Sequence, residues 1–126
     1  RVTAMSHKTE VQTQFGDIDS LKKTCEELGY RFEETSKVQL FESGPNGLVD
    51  CVAAVHIPGW NYPVAIKEDG TAAFDNFNGR WGNESNLDSL RQKYAENVAL
   101  AHAERSGYRV LHRENVNGNI HLRLGR

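Results

Sequence analysis

Cysteine is scarce: Cys25 and Cys51 are the only two in 126 residues, and they form no Cys-x-x-Cys spacing. That excludes a zinc ribbon and a thioredoxin-type redox pair. Cys25 falls on the apolar side of a helical pattern and Cys51 near the start of a strand. Both read as small buried hydrophobes in a reducing compartment rather than as a disulfide or a reactive thiol. Long apolar runs are missing too. Val52-Ala53-Ala54-Val55 is far too short to span a bilayer, and no basic amphipathic helix is present to lie on one. Direct membrane insertion is therefore not expected. The 15 basic and 17 acidic residues interleave to a net charge of −2, with no Lys/Arg block. The electrostatic footprint of a phosphate-backbone binder is absent, so no nucleic-acid partner is expected.

Catalytic signatures are equally thin. GxSxG, P-loop and GxGxxG patterns do not occur. The histidines at 7, 56, 102, 112 and 121 include no H-x₃-H or HExxH spacing, so the sequence offers no zinc site. Glu10, Glu33, Glu34, Glu42 and Glu114 are scattered and imply no carboxylate pair. No catalytic residue, metal ligand or cofactor is assigned on these grounds. His56 falls on the polar side of a strand, and His102 beside the apolar stripe of a helix. A two-residue turn at Asn117-Gly118 puts His121 opposite Glu114 and leaves His112 a diagonal neighbour. His112 and His121 read as surface strand residues, with metal binding or proton sensing there as the alternative.

What the chain does have is a pattern stated twice. Asp17-Ile18-Asp19-Ser20-Leu21 opens a helical stripe that closes on Gly29-Tyr30-Arg31, and Asn86-Leu87-Asp88-Ser89-Leu90 opens another that closes on Gly107-Tyr108-Arg109. In the first, Asp17 is the cap, Ile18, Leu21, Cys25 and Leu28 make one face, and Gly29 is the stop. In the second, Leu87, Leu90, Tyr94, Val98 and Ala101 make the face over about 19 residues. Strands are read at Val11–Phe15, Arg31–Glu34, Val38–Phe41, Val49–Ile57, Tyr62–Lys67, Thr71–Phe77, Tyr108–Arg113 and Asn119–Leu124. Val49–Ile57 is the most hydrophobic and is expected to be central. The predicted order is β-α-β-β-β-β-β-α-β-β: an α+β domain, mostly antiparallel sheet with two helices packed on one face. One domain spans 1–126, with residues 1–7 as an extended N-terminal segment, and a spare sheet edge is open to a homodimer or a partner.

The aromatic turns are the most suggestive surface. Trp60-Asn61-Tyr62-Pro63 and Phe77-Asn78-Gly79-Arg80-Trp81-Gly82 both interrupt strands, and large aromatics with Arg are the stuff of interface hot spots. Trp60, Tyr62, Arg80 and Trp81 are the candidate partner contacts. The competing reading is that both tryptophans cover the sheet end and pack on the second helix. The start, Arg1-Val2-Thr3-Ala4-Met5, is basic and acid-free with one hydroxyl, and reads as the tail of a removed transit peptide. An incidental start is the alternative.

With these residues laid out, the chain resembles the chloroplast open-reading-frame thirty-five family, domain of unknown function twelve-fifty-seven, of algal plastids, cyanobacteria and some phages. Met5-Ser6-His7 looks like its start, Leu28-Gly29-Tyr30 like the end of its first helix, and Ile57-Pro58-Gly59 with Tyr62 and Gly70 like its central hairpin. Trp81-Gly82, Gln92, Tyr94-Ala95, Ala103-Glu104 and Gly107-Tyr108 are similar to its later motifs. Lys8 stands where the family often has an aromatic, the 43–51 segment aligns poorly, and residues 1–4 are extra, as in an imported copy. The resemblance implies a location in the chloroplast stroma, peripheral to the thylakoid membrane. It brings no catalytic residues. The function expected is that of a non-enzymatic accessory protein on the stromal face of a photosynthetic complex. Photosystem I is the favoured partner, with this chain as peripheral subunit or assembly factor. The alternative is a soluble stromal ligand-binding or redox-linked enzyme using the sheet face away from the helices, with His56, His112 and His121 lining its pocket.

Overall fold

The first helical stripe folds as its sequence dictates. In this computed structural model, which describes residues 9–11, 15–40, 47–75, 79–116 and 119–125, helix α1 runs Ile18–Leu28. The segment expected to be extended over 1–7 and the Asn117-Gly118 turn lie outside those residues. Asp17 is extended and its carboxylate accepts the Ser20 N–H at 3.1 Å. Gly29 takes the left-handed conformation at φ 77° that closes the last turn, and the Tyr30 N–H donates to the Cys25 carbonyl at 2.9 Å. Leu21, Thr24 and Cys25 are buried on its inner face.

Nine strands accompany two helices among the described residues: β1 Thr9–Val11, β2 Arg31–Glu33, β3 Lys37–Gln39, β4 Leu48–Asp50, β5 Ala53–His56, β6 Val64–Ile66, β7 Ala72–Phe74, then helix α2 Glu84–Arg105, β8 Arg109–Val116 and β9 Asn119–Gly125. The α+β class and the succession of strands and helices agree with the sequence reading, with one division. The apolar run 49–57 is two strands, not one. It breaks at Cys51-Val52, so β4 pairs with β3 in a small ribbon while β5 enters the main sheet. Uniform hydrophobicity hides such a break because it carries no periodicity. The strand at the start also differs from expectation. Pairing is found at Thr9–Val11, while Phe15 lies after the strand and drops into the core, edge-on to Tyr94 at 4.9 Å.

The main sheet is antiparallel, in the order β1-β7-β6-β5-β2; β6 is its central strand, and β5, expected to be central, lies between β6 and the edge strand β2. Its two faces have different jobs. Ala53, Val55, Val64, Ile66, Ala72 and Phe74 meet both helices through Leu21, Cys25, Leu87, Leu90 and Tyr94. On the reverse face Ala54 pairs with Ala65 and Ala65 with Ala73, making a low floor of methyl groups across three strands. The β3–β4 ribbon lies on that floor through Val38, Leu40, Val49 and Cys51. Small side chains there let a second layer of backbone approach closely.

Helix α2 begins earlier than expected, at Glu84 rather than at Asn86. The cap is Asn83, whose side chain accepts the Ser85 N–H at 2.9 Å, and the Asn86 N–H donates to the Asn83 carbonyl within the first turn. The helix is covered on two sides. Leu87, Leu90, Tyr94 and Asn97 face inward, while the carboxylate of buried Glu96 is ion-paired to Arg113 of β8. The β8–β9 ribbon therefore forms an outermost layer on α2. Its register places His121 opposite Glu114 and Asn119 opposite Val116, as the two-residue turn requires, with a bulge at Leu111. Among the described residues no helix is long and apolar enough to cross a membrane.

Candidate functional site

The two aromatic turns, separate in sequence, form one corner at the end of the sheet. Gly59 adopts φ 85° after β5, and the Trp60 N–H donates to the Ile57 carbonyl at 3.0 Å, which swings the indole back over the sheet. Trp60 lies edge-on to Phe74 of β7, with centroids 5.7 Å apart, and packs against the helix-side core. Its Nε1–H donates to the Asn83 carbonyl at 3.2 Å, so one side chain ties the sheet end to the start of α2. The Asn61 N–H then donates to the Trp81 carbonyl at 2.8 Å, zipping the turns together. Tyr62 and Trp81 meet edge to face at 5.7 Å.

The four candidate contacts are therefore brought together but are not equivalent. Trp60 points inward and is half-buried. Its ring occupies the space a side chain at Gly82 would need, since a Cβ there would sit 2.3 Å from the indole. Tyr62 is also half-buried, resting against the core beneath the β3–β4 ribbon. Trp81 is half-buried like Trp60 and Tyr62, and Arg80 is exposed. Together they present aromatic surface beside a cation, the combination that anchors protein interfaces.

The histidines are not gathered. His56 Nε2 lies 2.7 Å from Glu33 Oε1 on the sheet face away from the helices. His112 lies 3.7 Å from Glu114 on the β8–β9 ribbon, beyond α2, and His121 is exposed on the same ribbon. The sheet and α2 stand between them, so these three histidines do not line one pocket. His102 is exposed on α2, and His7 lies outside the described residues. The two thiols are divided as well: Cys25 belongs to the helix-side core and Cys51 to the ribbon-side core. Burial, and secondarily the neighbouring Glu26 carboxylate, pushes the Cys25 thiol up to about 11. Burial also raises Cys51, whose Sγ–H donates to the Thr35 carbonyl at 3.4 Å. Neither is poised as a nucleophile at neutral pH.

Two features escaped the sequence reading. Asn97 of α2 donates to Thr24 Oγ1 at 2.9 Å and to Glu27 Oε1 at 2.8 Å, a polar bridge between the helices. Glu96 is the other, buried between Lys93 and Arg113. The only signal for either was a polar residue where helical packing wants an apolar one. Comparison with protein-family models, with characterised proteins and with solved structures finds no match to this chain.

Proposed function

We propose that this chain is a docking domain without a catalytic role, which binds a protein partner through Tyr62, Arg80 and Trp81, with Trp60 as the post that holds them. The observation that carries this reading is the joining of two distant aromatic turns into one surface corner by the Asn61–Trp81 hydrogen bond and the Trp60–Asn83 tie. Half-buried aromatics held rigidly lose little conformational freedom on binding, which is what a hot spot needs. The resemblance described above directs the choice of partner. It is the stromal face of a thylakoid complex, photosystem I, which the chain joins as a peripheral subunit or assembly factor.

The test is native-gel fractionation of solubilised thylakoids, with this protein located by mass spectrometry. Near-stoichiometric migration with photosystem I supports a subunit, and migration with sub-complexes an assembly factor. Recovery wholly in the soluble fraction overturns the reading. Within the complex, Trp81→Ala is expected to weaken association by about 2 kcal/mol, the scale of a hot-spot truncation. Its far-UV dichroism should stay unchanged.

A further inference from the structure

The main sheet ends on β2. That strand pairs with β5 on one side, Arg31 opposite His56 and Glu33 opposite Ala54, and no strand follows it on the other. Among the described residues, the backbone bonds nearest to it outside the ladder belong to its two flanks. The Tyr30 N–H donates to the Cys25 carbonyl at 2.9 Å, and the Ser36 carbonyl accepts the Cys51 N–H at 3.0 Å. The strand is thus pinned at one end to α1 and at the other to the end of β4. Its outer row of N–H and C=O groups has no backbone partner among the described residues. Such a row is a template for one more strand, and a pinned strand loses little freedom when one is added.

The side chains decide which strand that is. Arg31 and Glu33 share the sheet face away from the helices with His56, and their side chains are 66% and 43% exposed. Phe32 is on the helix face, half-buried against the core. Charged residues on an edge ordinarily turn other strands away. Their order here makes one exception. When a strand pairs antiparallel with its own copy about a twofold axis perpendicular to the sheet, each face stays continuous, and the axis must pass beside a residue. An axis at Arg31 sets two guanidiniums opposite each other, and an axis at Glu33 sets two carboxylates. Only an axis at Phe32 sets Arg31 opposite Glu33 of the second copy, twice over, with the two Phe32 rings meeting on the helix face. Opposite charges directly across strands stabilise a pair, like charges destabilise it, and cross-strand aromatics add to the gain. The Arg31 guanidinium is available for this. Its one acidic neighbour among the described residues is Glu33 of its own chain at 3.9 Å, beyond hydrogen-bond reach, while Glu33 Oε1 already faces His56 at 2.7 Å.

We propose that this chain forms a homodimer through edge-to-edge pairing of β2 with β2, centred on Phe32, which joins two five-stranded sheets into one of ten strands. The second copy is the occupant because the charge order of the edge is complementary to itself, in that one register. The contact is isologous and consumes both β2 edges, so it closes at two chains. It goes beyond the docking reading and does not rest on it.

Sedimentation equilibrium of the purified chain from about 5 μM to about 500 μM tests this, a range suited to an interface of one short strand per chain. The mass should rise from monomer to dimer and no further. Arg31→Glu and Glu33→Arg each set like charges opposite in the paired register, and each should weaken the dimer at least about tenfold. Mixed in equal amounts, the two variants should recover the dimer, because each then meets the charge it lacks. Far-UV dichroism matching the parent establishes that each variant is folded. Amide exchange on the parent, which needs no variant, should slow in β2 as concentration rises and stay unchanged in β6 and β7. A parent that is monomeric at about 500 μM overturns the proposal. So does growth past the dimer, a dimer without slowed exchange in β2, a folded single variant that dimerises as the parent does, or a mixture of folded variants that stays monomeric.

Discussion

Gly82 carries no side chain because the Trp60 indole stands where one would be. That relation separates support from contact within the aromatic corner. Gly82→Ala forces the indole off Phe74 and away from the Asn83 carbonyl, an overpacking change that costs about 1–3 kcal/mol. The loss should appear as a lower urea midpoint with an unchanged slope. Trp60→Ala removes the same post from the other side. The double variant should therefore cost clearly less than the two single changes added together, since both act through one contact. Strict additivity would mean that the two residues are not coupled and that the indole is not the post of the corner. Which tryptophan is post and which is contact was illegible in sequence. Both sit in polar, glycine-rich turns, and the answer depends on Phe74 and Gly82, residues the turn of Trp60 does not contain.

At the scale of elements, legibility followed the number of faces buried. Helix α1 buries one face between a capping Asp and a stopping Gly, so its stripe and both ends could be read residue by residue. Helix α2 has the core on one side and the β8–β9 ribbon on the other. Asn97 and Glu96 accordingly interrupt the stripes on which a reading depends. Its start was misplaced because Asn86-Leu87-Asp88 imitates a cap, whereas the cap in use, Asn83, is fixed by an indole from another turn. The β4–β5 break was hidden by an apolar run without alternation. The outer ribbon supplies the test at this scale. An isolated two-stranded ribbon is marginal in water, so β8–β9 depends on what holds it to α2. Arg113→Ala removes the charge that neutralises buried Glu96 from the ribbon side and leaves Lys93 alone at 3.3 Å. The expected cost is about 1–3 kcal/mol, below that of a fully buried pair because the Arg113 side chain is half-exposed. It should be read locally: amide exchange in β8 and β9 accelerates while that of β5 and β6 is unchanged. Uniform acceleration across the chain would show instead that the ribbon is part of one cooperative unit with the sheet.

For the whole molecule, the layer between sheet and helices decides how the fold responds to alkali. Cys25 is fully buried there, and Tyr94 spans from the core to the Asp17 N–H, which its hydroxyl accepts at 3.0 Å. Burial raises both groups, Cys25 from an ordinary 9.0 to about 11. The direction of the pH effect follows. Above 9 an unfolded chain gives up the thiol proton while the folded chain still holds it, so the unfolded state binds fewer protons and gains on the folded one. Stability from this source is intact below pH 9 and declines as pH rises toward 11. Over that interval the thiol alone accounts for up to about 2–3 kcal/mol, since each tenfold change in proton affinity is worth about 1.36 kcal/mol. Tyr94, displaced in the same direction, steepens the loss near the upper end. Because both protons sit in the layer that joins the helices to the sheet, the unfolding should be global, with far-UV dichroism and tryptophan fluorescence changing together. Urea midpoints at pH 7, 9 and 11 check the slope. Cys25→Ala should be less stable than the parent at pH 7, from the small cavity it leaves. It should also lose less between pH 9 and 11, since the thiol's share of the slope is gone. A parent midpoint that stays flat to pH 11 would mean that the thiol reaches water without unfolding, and that this layer opens far more easily than its packing implies.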